Sequence, residues 1–192
     1  MMSTLVELNL SIIMKRGVTI FLVIVFTWLS SCKWEDNFTE AQVKNGDAIN
    51  FLPKFKMLRL DSTEIKSTSI PNDKITILVL FDPTCHNCKD ELIALSDSIN
   101  HFFSASIALV APFPISDIKS CPEIKRFEGL NNVTIASDHH NVTQTIFNGM
   151  QVPMTLIYDK DQRLRAVFRG TADMNDLIKQ FNKVKQKPTM KG

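Results

Sequence analysis

The sequence predicts an α/β fold with an N-terminal β-hairpin, and three observations predict it. Apolar runs of strand length, KITILVLF, SIALVAP, VTIASD and MTLIYD, recur along the chain. Stretches with apolar residues at helical spacing lie between and after them, and no internal repeat or second domain interrupts the series. The composition is that of an ordinary globular domain, 44% apolar and 22% charged over 192 residues, which excludes a disordered chain. A net charge of +2, with basic residues spread along the chain, gives no case for nucleic acid.

The first element is a targeting segment. Met14 to Cys32 reads MKRGVTIFLVIVFTWLSSC: a Lys15-Arg16 basic start, an apolar stretch from Gly17 to Leu29, then small residues before a cysteine. That stretch falls short of the roughly 20 helical residues needed to cross a hydrocarbon core, so residues 1–31 read as an export signal, with Met14 the expected true start. Leu29-Ser30-Ser31-Cys32 resembles the lipobox of bacterial lipoproteins, which implies lipid attachment at Cys32 and a lipid-anchored protein of the bacterial cell envelope, on the periplasmic face or cell surface. Removing residues 1–31 takes away Lys15, Arg16 and Glu7 and leaves a near-neutral chain. Residues 32–50 are polar and aperiodic and read as a tether, residues 51–184 as the folded domain, and residues 185–192 as a basic tail.

Within the domain, FLPKFKMLRLDSTEIKSTSI alternates as a hairpin does, with Asp61-Ser62 at the turn. KITILVLF is apolar without alternation, as in a strand buried on both faces, and is expected to be the central strand. Leu92, Leu95, Ile99 and Phe102 then follow at helical spacing. After SIALVAP comes a Pro-rich, irregular stretch from Phe113 to Leu130, with room for one optional helix. VTIASD is the next strand, and His140 to Phe147 a short helix closed by Gly149. MTLIYD and LRAVFRG form a hairpin around Lys160-Asp161-Gln162-Arg163. Thr171 is the expected cap of a last helix striped by Met174, Leu177, Ile178, Phe181 and Val184. The element order reads ββαβ(α)βαββα.

Chemistry concentrates at Cys85-His86-Asn87-Cys88, where the first helix leaves its strand. Cysteines three apart at a helix start share a face and can close a small disulfide ring. The helix N-terminus carries partial positive charge and free N–H groups that stabilise a thiolate on Cys85, making it the nucleophile. Cys88, a turn deeper, fits a resolving thiol. His86 can add positive charge or serve as an exposed spacer. The pair alone fits three roles: redox centre, half of a metal site completed from Cys121, His139 and His140, or structural staple.

Flanking residues narrow the choice by resemblance. LPKFKMLRLDSTEI, ILVLFDPTCHNCKDEL, VTIASD and QVPMTLIYDKDQRLRAVFRG, over roughly Leu52 to Phe181, together resemble the thioredoxin-like superfamily, and within it the membrane-tethered TlpA/ResA-type thiol-disulfide oxidoreductases. The resemblance implies a thioredoxin-like fold, a central mixed β-sheet flanked by helices. It implies catalysis by Cys85 and Cys88, no cofactor beyond that redox-active disulfide, and exchange with protein thiols and disulfides. It also implies an upstream electron donor or acceptor, membrane attachment through the N-terminal lipid, and reductase rather than oxidant use. Val152-Pro153 matches the family's cis-proline, which packs on the cysteine pair and leaves the preceding backbone free to pair with an extended substrate. Glu91 matches the family's acid near the cysteines, a half-buried carboxylate that takes a proton from Cys88.

Departures bear on partner choice. Asp82-Pro83-Thr84 stands where the family carries a Trp, and His86-Asn87 replaces the common Gly-Pro or Glu-Pro and is expected to tune the couple. Potentials in the superfamily run from about −270 to −120 mV. Cys121 matches nothing in the family core and reads as a spare loop thiol, and His139-His140 as surface residues capping the next helix. A copper-handling protein of the Sco type would use a longer gap between its cysteines, and the cysteine spacing of peroxiredoxins is absent around Cys85.

Overall fold

A computed structural model describes residues 49–71, 73–147 and 151–186. The signal segment, Cys32, the tether up to residue 48, Gly149 and the tail from residue 187 lie outside the described residues. The domain runs β1 Lys56–Arg59, β2 Glu64–Lys66, β3 Ile75–Leu80, α1 His86–Asp97, β4 Ala105–Ala111, α2 Ile115–Ser120, β5 Val133–Ser137, α3 Val142–Ile146, β6 Met154–Tyr158, β7 Leu164–Arg169 and α4 Met174–Gln186. Three strands precede α1: the two arms of the expected hairpin and the buried strand, one more than the order ββαβ(α)βαββα counts.

The strands form one mixed sheet in the order β2-β1-β5-β4-β3-β6-β7. β3, β4 and β5 are parallel to their neighbours in that trio. β1 joins β5, β6 joins β3, and β7 joins β6, all antiparallel. The middle place belongs to β4, not to β3. Both are apolar on both faces, so periodicity alone could not rank them.

Alternation along β3 and β4 builds the two cores. Ile75, Ile77, Val79, Ile107 and Leu109 face a cluster closed by Leu92 and Leu95 of α1 and by Leu177 and Phe181 of α4. Leu78, Leu80, Ala108 and Val110 point the other way, against Leu52, Phe55 and Met57 of the entry segment and Ile146 of α3. Phe102 meets Phe181 edge to face, with ring centroids 5.3 Å apart.

Turn chemistry fixes both hairpins. Ser62 adopts a positive φ of 70°, and the Asp61 carboxylate accepts from the N–H (2.9 Å) and hydroxyl (2.6 Å) of Thr63. In the β6–β7 turn, Gln162 has φ 59° and Asp159 accepts from the N–H groups of Asp161 and Arg163.

The stretch from Phe113 to Leu130 is more ordered than its prolines suggested. Pro114 caps α2, and Pro122 opens a 3-10 helix over Pro122–Phe127, positions where a missing N–H costs nothing. Ile118, Ile124 and Phe127 anchor both turns in the core. α4 is capped by Asp173, whose carboxylate accepts from the N–H groups of Asn175 (2.9 Å) and Asp176 (3.1 Å), and not by Thr171. Among the described residues no helix is long and apolar enough to cross a membrane.

Candidate active site

The site forms where β3 ends. The chain leaves Leu80, crosses Phe81-Asp82-Pro83-Thr84 and enters α1 with Cys85 as the N-cap. Cys85 has extended backbone (φ −74°, ψ 125°), and its sulfur accepts the Cys88 N–H at 3.3 Å. A sulfur in that position occupies the cap acceptor's place at the positive end of the helix. Cys85 is partly exposed and Cys88 fully buried. Burial pushes the Cys88 thiol strongly up, while the Asp82 N–H, 3.5 Å from its sulfur, acts in the opposite direction.

β6 brings the proline to the same end of the sheet. Met154 pairs with Leu80, so Pro153 lies beside the strand end from which the cysteine loop departs. The Val152-Pro153 bond is cis, and the Pro153 carbonyl accepts the Gly170 N–H at 2.9 Å. Gly170 has φ +76°, a conformation that a residue with a Cβ rarely adopts, and it ends β7 there. Val152 is half-buried and packs on the same apolar cluster as Cys85.

Glu91 sits more deeply than the expected half-buried carboxylate: it is 1% exposed. It accepts hydrogen bonds from the Thr155 hydroxyl on β6 and from the Ala172 N–H at 3.1 Å, so neither bond goes to a cysteine. Burial raises its pKa above the usual carboxylate range, against the pull of both donors. Glu91 thus ties α1 to β6 and to the turn before α4.

His86 and Asn87 are exposed on the first turn of α1. The His86 Nε2 lies 3.5 Å from the Asp90 carboxylate, so positive charge on the ring is partly offset by its neighbour. Cys121 is not on an open loop. It is 2% exposed, belongs to the α1-side core, and donates to the Glu123 carboxylate at 3.1 Å. Burial raises its thiol as well. His139 and His140 stack on each other at the surface, with centroids 3.8 Å apart. The N-cap position of α3 is Asn141, and the first N–H groups of the helix are met by the buried Asp138, which accepts from those of Val142 and Thr143 and from the Thr143 hydroxyl. Among the described residues no three His, Cys, Asp or Glu side chains gather where they could hold a metal.

The structure therefore brings Cys85, Cys88 and the Val152-Pro153 bend to one end of the sheet. Sequence reasoning passed over Asp82, Thr84 and Thr155 as working parts. Asp-x-Thr is a turn signature, and a threonine inside the apolar MTLIY asks for a partner, so both left a signal.

No family model matches the chain, and no curated protein matches it in sequence. Solved structures do match. A secreted disulfide oxidoreductase of Mycobacterium tuberculosis, described as homologous to DsbE of E. coli, is similar at 17% identity and a TM-score of 0.57, covering 67% of this chain and 95% of its own. A Neisseria meningitidis protein proposed to be a thioredoxin is similar at 18% identity and a TM-score of 0.60, covering 73% and 93%. The peroxidoxin BcpB of M. tuberculosis reaches 16% identity and a TM-score of 0.58, covering 72% and 96%. At such identities the likeness is one of architecture: this chain has the thioredoxin-like fold, a mixed seven-stranded sheet with helices on its faces.

Proposed function

We propose that this protein is a thiol-disulfide oxidoreductase of the bacterial cell envelope, exchanging disulfides with protein partners through Cys85 and Cys88. The observation that carries the reading is the asymmetry of the pair. A partly exposed Cys85 caps a helix above a fully buried Cys88, whose N–H it accepts. A structural staple needs no such asymmetry, and a metal site would need further ligands that the described residues do not assemble.

The reaction follows from the two environments. The Cys85 thiolate attacks a substrate disulfide, forming a Cys85–substrate mixed disulfide and expelling one substrate thiolate, which takes up a proton. Cys88 then loses its proton and attacks the Cys85 sulfur. A Cys85–Cys88 disulfide forms and the second substrate thiol leaves, so the substrate gains the two electrons the pair gives up. The Val152 backbone at the cis bend is the place for an extended substrate segment to pair. No cofactor takes part, but another dithiol must reduce the pair after each turnover.

The TlpA/ResA resemblance favours the reductase direction, His86 and Asn87 are assigned to tuning the couple, and Cys32 to a lipid anchor. The test is the reduction potential of the pair in glutathione and dithiothreitol buffers, read by alkylation. A reversible couple near that of thioredoxin is expected, with Cys85→Ser inactive and Cys88→Ser accumulating mixed disulfides. A pair that neither reduces nor reoxidises overturns the reading and makes the cysteines a staple. Copper binding that Cys85→Ser abolishes would replace it with metal handling.

A further inference from the structure

Asp82 touches both cysteines and the turn that separates them from β3. Its N–H donates to the Cys88 sulfur at 3.5 Å. Its carbonyl accepts the Cys85 N–H at 3.2 Å. One carboxylate oxygen accepts two bonds of 2.7 Å, from the N–H and the hydroxyl of Thr84. One residue thus orients the backbone of the attacking cysteine and places a donor on the resolving sulfur. Its own side chain locks the turn that holds both arrangements.

We infer that Asp82 is a positioning residue for the second half of the exchange: its carboxylate-held turn with Thr84 aims the Asp82 N–H at Cys88, steadying the thiolate that resolves the mixed disulfide. The assignment rests on the oxidoreductase reading. The step it serves is attack by the Cys88 thiolate on the Cys85 sulfur, which forms the internal disulfide and expels the partner's thiolate. Cys88 is buried, so water cannot solvate the charge it must carry before that attack, and the backbone N–H is the donor in place for it. The turn matters because an N–H on a loose loop would have to be reordered at each resolution. Asp-Pro-Thr also explains how the loop dispenses with the tryptophan of its relatives: Pro83 fixes one torsion of the turn, and the Asp82–Thr84 bonds fix the rest.

The charge of Asp82 works against the same thiolate, so the test must separate acceptor from charge. Asp82→Asn keeps an acceptor oxygen without the charge, whereas Asp82→Ala loses both. The difference between the two variants therefore reports the turn. The reduced full-length chain is mixed with 5,5′-dithiobis(2-nitrobenzoate) in a stopped-flow instrument. Attack by Cys85 releases one nitrothiobenzoate, and resolution by Cys88 releases a second, a phase identified by its loss in Cys88→Ser.

Asp82→Ala is expected to resolve roughly tenfold more slowly than Asp82→Asn, with a higher pH midpoint for the second phase, while Asp82→Asn stays within about threefold of the parent. Equal rates and equal midpoints in the two variants overturn the assignment. Should Asp82→Ala fail to fold, Thr84→Ala takes its place, expected to slow the second phase about threefold, and a parental rate there overturns the assignment too. A parent chain that itself shows no second release removes the oxidoreductase reading and this assignment with it. A parent that resolves normally beside indistinguishable Asp82 variants removes the assignment alone.

Discussion

Glu91 is where burial and hydrogen bonding pull hardest against each other. Two donors favour its charged form, yet desolvation outweighs them and raises its pKa. The consequence for stability has a definite sign. A carboxyl whose folded value exceeds its unfolded one binds its proton more tightly in the folded state, so stability is greatest below the unfolded value and falls as pH rises through the folded one. Glu91→Gln removes that loss. Its amide can still accept from Ala172 and meet the Thr155 hydroxyl, so the variant is expected to be at least as stable as the parent at pH 7, with a flatter pH dependence above the ordinary glutamate range. Glu91→Ala leaves the Ala172 N–H and the Thr155 hydroxyl without their buried partner, and is expected to cost about 2–4 kcal/mol. Urea titrations from pH 4 to pH 8 check both. If the family-like proton transfer from Cys88 operates as well, Glu91→Gln shifts the pH midpoint of the resolution step, and an unmoved midpoint leaves Glu91 a structural tie between α1, β6 and the α4 turn.

Helix starts show how an element's local chemistry escapes a reading by position. α4 begins after Thr171-Ala172-Asp173, and either polar residue could cap it by type. Asp173 takes the role because its carboxylate reaches two free N–H groups. Asp173→Ala is expected to cost about 1 kcal/mol in urea unfolding, and Thr171→Ala a few tenths, and equal losses would contradict the cap. The same contrast runs through the domain. Strands and helices were legible because β3 and β4 are apolar but for Thr76 and Ser106 and α1 and α4 carry regular stripes, signals that depend on burial alone. The cysteine pair was legible because its spacing is itself the chemistry, and the Val152-Pro153 bend because resemblance supplied its place. What stayed hidden depends on tertiary neighbours. Cys121 looked like a loop thiol because the Pro-rich stretch around it gives no period, although α2 and the following 3-10 helix bury it. Glu91 looked half-buried because the donors that receive it, Thr155 and Ala172, lie far along the chain.

At the scale of the molecule, the sheet is a partition between two apolar clusters that share its strands. Ile77 and Leu78 are adjacent in sequence yet belong to opposite cores, so unfolding either core would strip one face of β3 and β4. That sharing predicts one cooperative transition for the domain, not two. The chain offers a direct way to see it, because its two tryptophans, Trp28 and Trp34, lie before the domain and its single tyrosine, Tyr158, lies inside it. Tyr158 is fully buried in the β6 segment of the core that faces α3 and the entry hairpin. α4, a major source of helical signal, packs on the opposite core through Leu177 and Phe181. In a chain from Asn50 to Gln186, tyrosine emission and far-ultraviolet circular dichroism therefore report opposite faces of one sheet. Their urea midpoints are expected to coincide, and Leu78→Ala, which empties the Tyr158 side, is expected to lower both together by about 2–5 kcal/mol in stability. Separate midpoints, or a Leu78→Ala effect confined to tyrosine emission, would mean that the cores come apart independently. The coupling matters for the site because α1 and β6 approach it from elements rooted in both cores. Only a sheet that holds or fails as a unit keeps Cys85, Cys88 and the Pro153 bend in one register through repeated oxidation and reduction.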